Sequence, residues 1–102
     1  MENNAVYYVS FKLKKDAVRE DFLAAAKKLN DEFISKQKGY ISWKQLFDGE
    51  RWADMCTFET MDDLKNFKKA SATPSDTALH FYSFINLPSC KEHIYSVEKV
   101  YE

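Results

Sequence analysis

The chain has 102 residues, enough for one domain with a core of its own, and a single domain over residues 1–102 is expected. Its 15 basic and 16 acidic residues leave a net charge of −1, which offers no electrostatic footprint for nucleic acid. No apolar run approaches the ~20 residues that span a bilayer, so no membrane association is expected. Two cysteines make no disulfide framework, and only two glycines and two prolines leave little room for irregular chain. The start, MENNAVYYV, lacks the basic and apolar regions of a secretory signal. A cytoplasmic protein with both thiols reduced is expected.

Val6 to Leu13 (VYYVSFKL) is β-branched and aromatic, and it alternates. Tyr7, Val9, Phe11 and Leu13 share a wholly apolar face, while Val6, Tyr8, Ser10 and Lys12 share a mixed one. From Asp16 the period changes. Val18, Phe22, Ala25, Ala26, Leu29 and Phe33 recur at helical steps, with acidic residues early, lysines late and Gly39 placed as a C-terminal cap. Two strand-like runs then flank Asp48-Gly49, a strong hairpin signal because glycine supplies positive φ at no steric cost.

In the second strand of the hairpin Trp52, Asp54, Cys56 and Phe58 share a face, opposite Ala53, Met55 and Thr57. Thr60 to Asp63 resembles a capping box opening a short helix through Leu64 and Phe67. Thr73-Pro74 looks like a second helix start, with Thr73 as cap, running to about Ile85 and ended by Pro88. His93 to Tyr101 alternates as a last strand. The order strand, helix, strand, strand, helix, strand predicts an α+β, ferredoxin-like βαββαβ fold. Its four-stranded antiparallel sheet carries the helices on one face. The bare face would leave bulky groups in water, so two copies are expected to pack sheet to sheet as a homodimer.

At this point the residues resemble a known group. WADMCTFETMDDLKNF from Trp52 and HFYSFINLPSC from His80 are similar to the antibiotic biosynthesis monooxygenase superfamily, the dimeric α/β-barrel proteins. The shared pattern is Trp-x-Asp, a strand ending in Phe-Glu-Thr, an acidic helix start, then Phe81-Tyr82 leading to Phe84-Ile85-Asn86. The resemblance covers the chain by element order and about residues 52 to 90 by motif. It implies a homodimer with a small-molecule pocket in each subunit, between helices and sheet. Some members oxidise aromatic polyketides with molecular oxygen and no metal or flavin; others degrade haem, isomerise, or only bind. The haem-degrading type calls for an Asn in the first strand and a Trp and a His in the second helical region. Here Tyr8 and Ser10 occupy the middle of that strand, Phe67 stands where the Trp is wanted, and only His80 matches. Haem degradation is therefore disfavoured, and no cofactor is expected.

Candidate chemistry centres on His80, a general base or proton relay beside aromatic neighbours, with a partly exposed helical histidine as the plainer alternative. Asp54, in a central strand, is a carboxyl whose pKa rises if buried unpaired; a structural ion pair or hydrogen bond is its alternative. Tyr8, Tyr40, Trp43, Trp52 and Phe81 could line a cavity for a planar substrate or simply pack a core or interface. Asn86 could donate to a substrate carbonyl or cap a helix. Cys90-x-x-His93 is half of a ligand pair, with His80 and Cys56 as the other donors; structural zinc wants two close pairs, and no metal is expected. The function anticipated is a cofactor-independent monooxygenase of a small aromatic or apolar molecule. A non-catalytic dimeric binding or stress-related protein of the same fold is the rival: a closed core of interlocked aromatics would favour it, and an open pocket with His80 at its wall would favour the enzyme.

Overall fold

The computed structural model describes residues 3–102; Met1 and Glu2, part of the start read above, lie outside the described residues. The elements run β1 (Ala5–Leu13), α1 (Arg19–Glu32), a 3₁₀ turn (Ile34–Lys36), β2 (Tyr40–Phe47), β3 (Trp52–Phe58), α2 (Met61–Ser71), α3 (Asp76–Tyr82) and β4 (Ile85–Ser96). The four strands form one antiparallel sheet in the order β2-β3-β1-β4. This is the ferredoxin-like arrangement, with the second helical connection divided between α2 and α3.

Period-two alternation decides which residues meet the helices. In β3, Trp52, Asp54, Cys56 and Phe58 are all buried. Opposite them on β1 stand Phe11, Val9, Tyr7 and Ala5. Helix α1 lays Phe22, Ala25, Ala26 and Leu29 on that surface, the stripe its helical spacing predicts. Phe22 is the hub, stacked on Phe81 at 5.2 Å and edge-on to Trp52 at 5.1 Å and Phe11 at 6.0 Å. Burying one such ring contributes about 1.5–3 kcal/mol, and offset or edge-on contacts are the geometry their quadrupoles favour.

Several boundaries differ from expectation, each for a local reason. Helix α1 starts at Arg19, three residues after Asp16, and ends at Glu32, because the 3₁₀ turn swings Ile34 into the core. Gly39 therefore caps no helix. It holds φ +80° just before β2, where a Cβ would stand 2.1 Å from Asp63 Oδ2. Thr60 caps α2 as read, its Oγ1 accepting from Asp63 N–H at 3.0 Å. Ser75, in place of Thr73, caps α3 and sets Asp76 in its first turn, where the helix dipole favours it. The hairpin turns through Gly49 at φ +99°, and Asp48 Oδ1 accepts from the N–H groups of Glu50 and Arg51.

The largest difference is β4. Helix α3 stops at Tyr82 because the chain is captured by the end of β1: Lys14 N–H donates to Phe84 O at 2.9 Å, and Leu13 pairs with Ile85. Pro88 then sits inside the strand, at a bulge between the Lys12–Asn86 and Ser10–Lys91 pairs. An edge-strand bulge is where a residue lacking an N–H does no damage. Lys12 N–H is satisfied there by Ser89 Oγ at 2.8 Å. Beyond Ser96 the ladder ends with Val97 N–H on Asn4 O, since β1 begins at Ala5 and offers no further pairs; the predicted strand to Tyr101 does not form.

Candidate active site

The space between the sheet and the α1 and α3 helices does not close completely. A cavity of about 230 Å³ lies there, walled by Val9, Phe11, Leu29, Trp43, Phe67, Phe81, Tyr82, Ile85 and Leu87. Its polar atoms come from Asp54, Tyr7, Tyr82, Cys56, Cys90 and Glu92. A mostly apolar hollow with a few convergent polar groups is the usual form of a small-molecule site.

Asp54 is the unusual member. It is 9% exposed, sits on a central strand, and receives one hydrogen bond, from Gln45 Nε2 to Oδ1 at 3.3 Å. No cation pairs with it among the described residues. Burial pushes its carboxyl up from 3.8 to about 7, and the nearby amide of Gln45 and indole of Trp43 pull it only part of the way back. The Trp43 N–H approaches Asp54 without reaching hydrogen-bond geometry: its Nε1 is buried and has no acceptor. A donor left unpaired in such surroundings carries a desolvation cost of about 1–3 kcal/mol.

The acid's charge reaches its neighbours. Burial raises the pKa of the Tyr82 phenol and the Cys90 thiol, and the Asp54 carboxylate raises both further. Cys56, paired with Trp43 across β2 and β3, is raised for the same two reasons. At the mouth, Tyr7 O–H donates to Glu92 Oε2 at 2.7 Å, and the Lys68 ammonium pairs with the other oxygen of Glu92. Burial and then Glu92 hold the Tyr7 phenol protonated. Glu92, raised by partial burial, is brought below its usual value overall by Lys68 and Tyr7.

Of the residues singled out from the sequence, the structure brings Asp54, Trp43 and Phe81 together in this cavity. The others lie elsewhere. His80 is exposed on α3 and edge-on to Phe84 at 5.1 Å. Trp52 is core, packed on Phe22 and lying under the Arg19 guanidinium at 4.9 Å. Tyr40 packs edge-on to Phe58. Asn86 is an exposed residue of β4 paired with Lys12, where it caps no helix. Tyr8 is on the opposite face of the sheet, 6.4 Å from His93. Tyr7, Tyr82, Cys90 and Glu92 were not anticipated as cavity residues; Cys90 was weighed only as a metal ligand and Tyr82 only as part of the family pattern. For Tyr7 the signal existed, since alternation already placed it on the apolar face with Val9 and Phe11. No group of three or more metal-ligating side chains occurs among the described residues, and no helix is long and apolar enough to cross a membrane.

No family model matches the chain, and no curated protein matches it by sequence. Solved structures do match it in shape. SnoaB, a cofactor-independent oxygenase from Streptomyces nogalater, superposes with a TM-score of 0.73 at 10% identity, covering 96% of each chain. Two proteins each named "putative antibiotic biosynthesis monooxygenase" also match. That from Bordetella bronchiseptica gives a TM-score of 0.76 at 14% identity, over 98% of this chain and 100% of its own. That from Nitrosomonas europaea gives 0.70 at 17% identity, over 96% and 93%. The chain thus has the complete ferredoxin-like fold on which proteins named as antibiotic biosynthesis monooxygenases are built.

Proposed function

We propose that the protein is a cofactor-independent monooxygenase of a small aromatic molecule, with Asp54 as its proton acceptor. The observation that carries this reading is a buried carboxyl with a pKa of about 7, unpaired with any cation, on the wall of an apolar cavity. An acid poised near neutral pH is suited to take a proton and give it back. The likeness in shape to SnoaB, which is named a cofactor-independent oxygenase, supports the reaction class.

In this mechanism the substrate enters neutral, and Asp54 removes a proton to leave an electron-rich anion among aromatic walls that keep water out. The anion reduces dioxygen. One oxygen atom joins the carbon that reacts, the O–O bond breaks as that carbon gives up its second hydrogen as a proton, and the other oxygen leaves as water; all four electrons come from the substrate. Asp54 then returns its proton to the departing oxygen. His80, outside the cavity, has no part in these steps.

The protein acts in this reading as a homodimer through the outer sheet face, where Val6, Tyr8, Leu46, Met55 and Tyr95 stand together; Leu46 is 45% and Tyr95 53% exposed. Oxygen consumption measured with hydroquinones and small anthrones tests the activity. Turnover with the wild type and its loss in Asp54→Asn is the expected result. Absence of uptake with every compound that demonstrably binds would leave a binding protein, the rival reading.

A further inference from the structure

We propose that the cavity is also a receptor for a small organic cation, an arylalkyl ammonium whose charge pairs with Asp54 while its ring lies against the aromatic walls, and that such a cation displaces the neutral substrate. The binding stands on the cavity alone; only the displacement rests on the functional reading above.

The charge of the wall is the first observation. Asp54 and Glu92 line the cavity, and no lysine, arginine or histidine among the described residues does. Lys68 is held on Glu92, and the Arg51 guanidinium is tied to Ser10 Oγ and Ser89 O, away from the wall. The second observation is the open side of the acid. Gln45 donates to Asp54 Oδ1, and Oδ2 accepts no hydrogen bond. Yet Oδ2 is not sealed: the buried side-chain atoms without a partner among the described residues are Asn30 Oδ1 and Trp43 Nε1. Its free surface belongs to the cavity that Asp54 lines.

The third is the setting of the rings. Phe81 meets Trp43 at 79° and Tyr82 at 62°, and Tyr7 meets Phe67 at 70°. Rings at such steep angles make the corners of a cage rather than a flat slot, and a cation within about 6 Å of a ring face is attracted by its quadrupole. The mouth already shows this chemistry, because the Lys68 ammonium lies 5.4 Å from the centre of the Tyr7 ring while paired with Glu92. Farther in, a carboxylate and rings recur without an ammonium. Room is sufficient, since a cavity on the order of 150 Å³ admits benzene and this one measures about 230 Å³ and is open at its mouth.

Lost hydration is what usually defeats a buried ion pair. Here the acid is stripped of water before any ligand arrives, and burial without a cation lifts its carboxyl to about 7. A ligand cation brings only its own desolvation and relieves that of the acid. It favours the ionised carboxyl, so it binds weakly where Asp54 is protonated and releases a proton on binding below about pH 7. The other titratable groups of the wall are Tyr7 on β1, Cys56 on β3, Tyr82 on α3, and Cys90 and Glu92 on β4. Burial holds the phenols and thiols protonated, and Lys68 and Tyr7 keep Glu92 ionised, so none changes charge between pH 6 and 8. Lys27 of α1 stands beyond Gln45 in a separate groove, paired with Asp31.

The test compares benzylammonium, benzyl alcohol and benzoate, alike in ring and different in charge, by calorimetry without oxygen. At pH 8 benzylammonium should bind at least about tenfold tighter than benzyl alcohol, and benzoate should not bind measurably. Between pH 8 and pH 6 the affinity for benzylammonium should fall about tenfold, with proton release at pH 6, while that for benzyl alcohol holds. Asp54→Asn should lose the preference for the cation and its pH dependence and still bind benzyl alcohol. A cation bound no tighter than the alcohol, or tighter binding of benzoate, overturns the proposal without any use of the variant; so does a variant that keeps the preference. Oxygen uptake is scored separately. Cation binding with no uptake from any compound upholds the receptor and rejects the monooxygenase; uptake that saturating benzylammonium leaves unchanged does the reverse.

Discussion

Asp54→Asn should stabilise the protein, and by an amount that depends on pH. The folded-state carboxyl titrates at about 7, against 3.8 when solvated. Below pH 3.8 both states hold the proton, and the acid costs nothing. As pH rises toward 7 the unfolded chain releases its proton first, so stability falls, and above 7 the full penalty is present. At 1.36 kcal/mol per pH unit the gap between the two values amounts to about 4 kcal/mol. The amide is isosteric and never ionises, and its oxygen can still accept from Gln45. Urea unfolding of both proteins from pH 4 to 9 should therefore show a difference of about 0.5 kcal/mol at pH 4, about 1–2 kcal/mol at pH 5, and a plateau of about 4 kcal/mol from pH 8. Subtracting one curve from the other cancels every other titration that the two proteins share. The groups facing the acid are Gln45, Trp43, Cys56, Tyr82 and Cys90, none of them cationic. A difference independent of pH, or a wild type that gains on the variant as pH rises, would refute the raised pKa and with it the assignment of Asp54 as a neutral-pH base.

Gly39→Ala should cost about 3 kcal/mol in urea unfolding, combining a left-handed backbone worth ~1–2 kcal/mol with a clash against Asp63; Gly49→Ala, with open space around it, should cost only the backbone part. Phe67 divides the cavity from a second void of about 80 Å³ under the α2–α3 connection. Phe67→Ala should lower stability by about 3–5 kcal/mol, and the joined space should bind bulkier aromatic ligands more tightly than the wild type does in a thermal-shift assay. His80→Ala should leave ligand affinity and turnover unchanged and move stability by no more than about 0.5 kcal/mol. Tyr8→Glu puts a charge on the outer sheet face, and sedimentation velocity at micromolar concentration should show monomer where the wild type is dimeric, with ligand affinity retained; a wild type that is itself monomeric would remove the sheet-to-sheet dimer.

The parts of the molecule that were legible in advance are those governed by local periodicity. Two-residue alternation assigned both faces of β1 and β3 correctly, and of the predicted helical stripe Phe22, Ala25, Ala26 and Leu29 pack, while Val18, before the helix begins, stays half exposed. The same alternation placed Tyr7 inward and Tyr8 outward, so parity alone would have chosen the right phenol for the cavity. What local pattern could not supply was β4. Pro88 reads as a helix stop and Ile85 to Glu92 as the chain around it, but pairing with β1, more than 70 residues earlier, makes the segment an edge strand with a bulge. That non-local capture brings Leu87, Cys90 and Glu92 to the cavity and hides half of its mouth from any reading of neighbours in sequence.

Asp54 shows the same division more sharply. Its position on the inner face was readable from Trp52, Cys56 and Phe58, and so was the condition under which its pKa would rise. Whether the condition holds depends on what surrounds the carboxyl, and those groups arrive from β2, α3 and β4 as well as from its own strand. Desolvation is a sum over neighbours that only the tertiary fold assembles. An arginine or lysine at any one of those positions would have made Asp54 an ordinary buried ion pair, holding its pKa low and turning the cavity toward anions. The absence of a cation from this wall gives the carboxyl its character and sets the charge of the ligand it can accept.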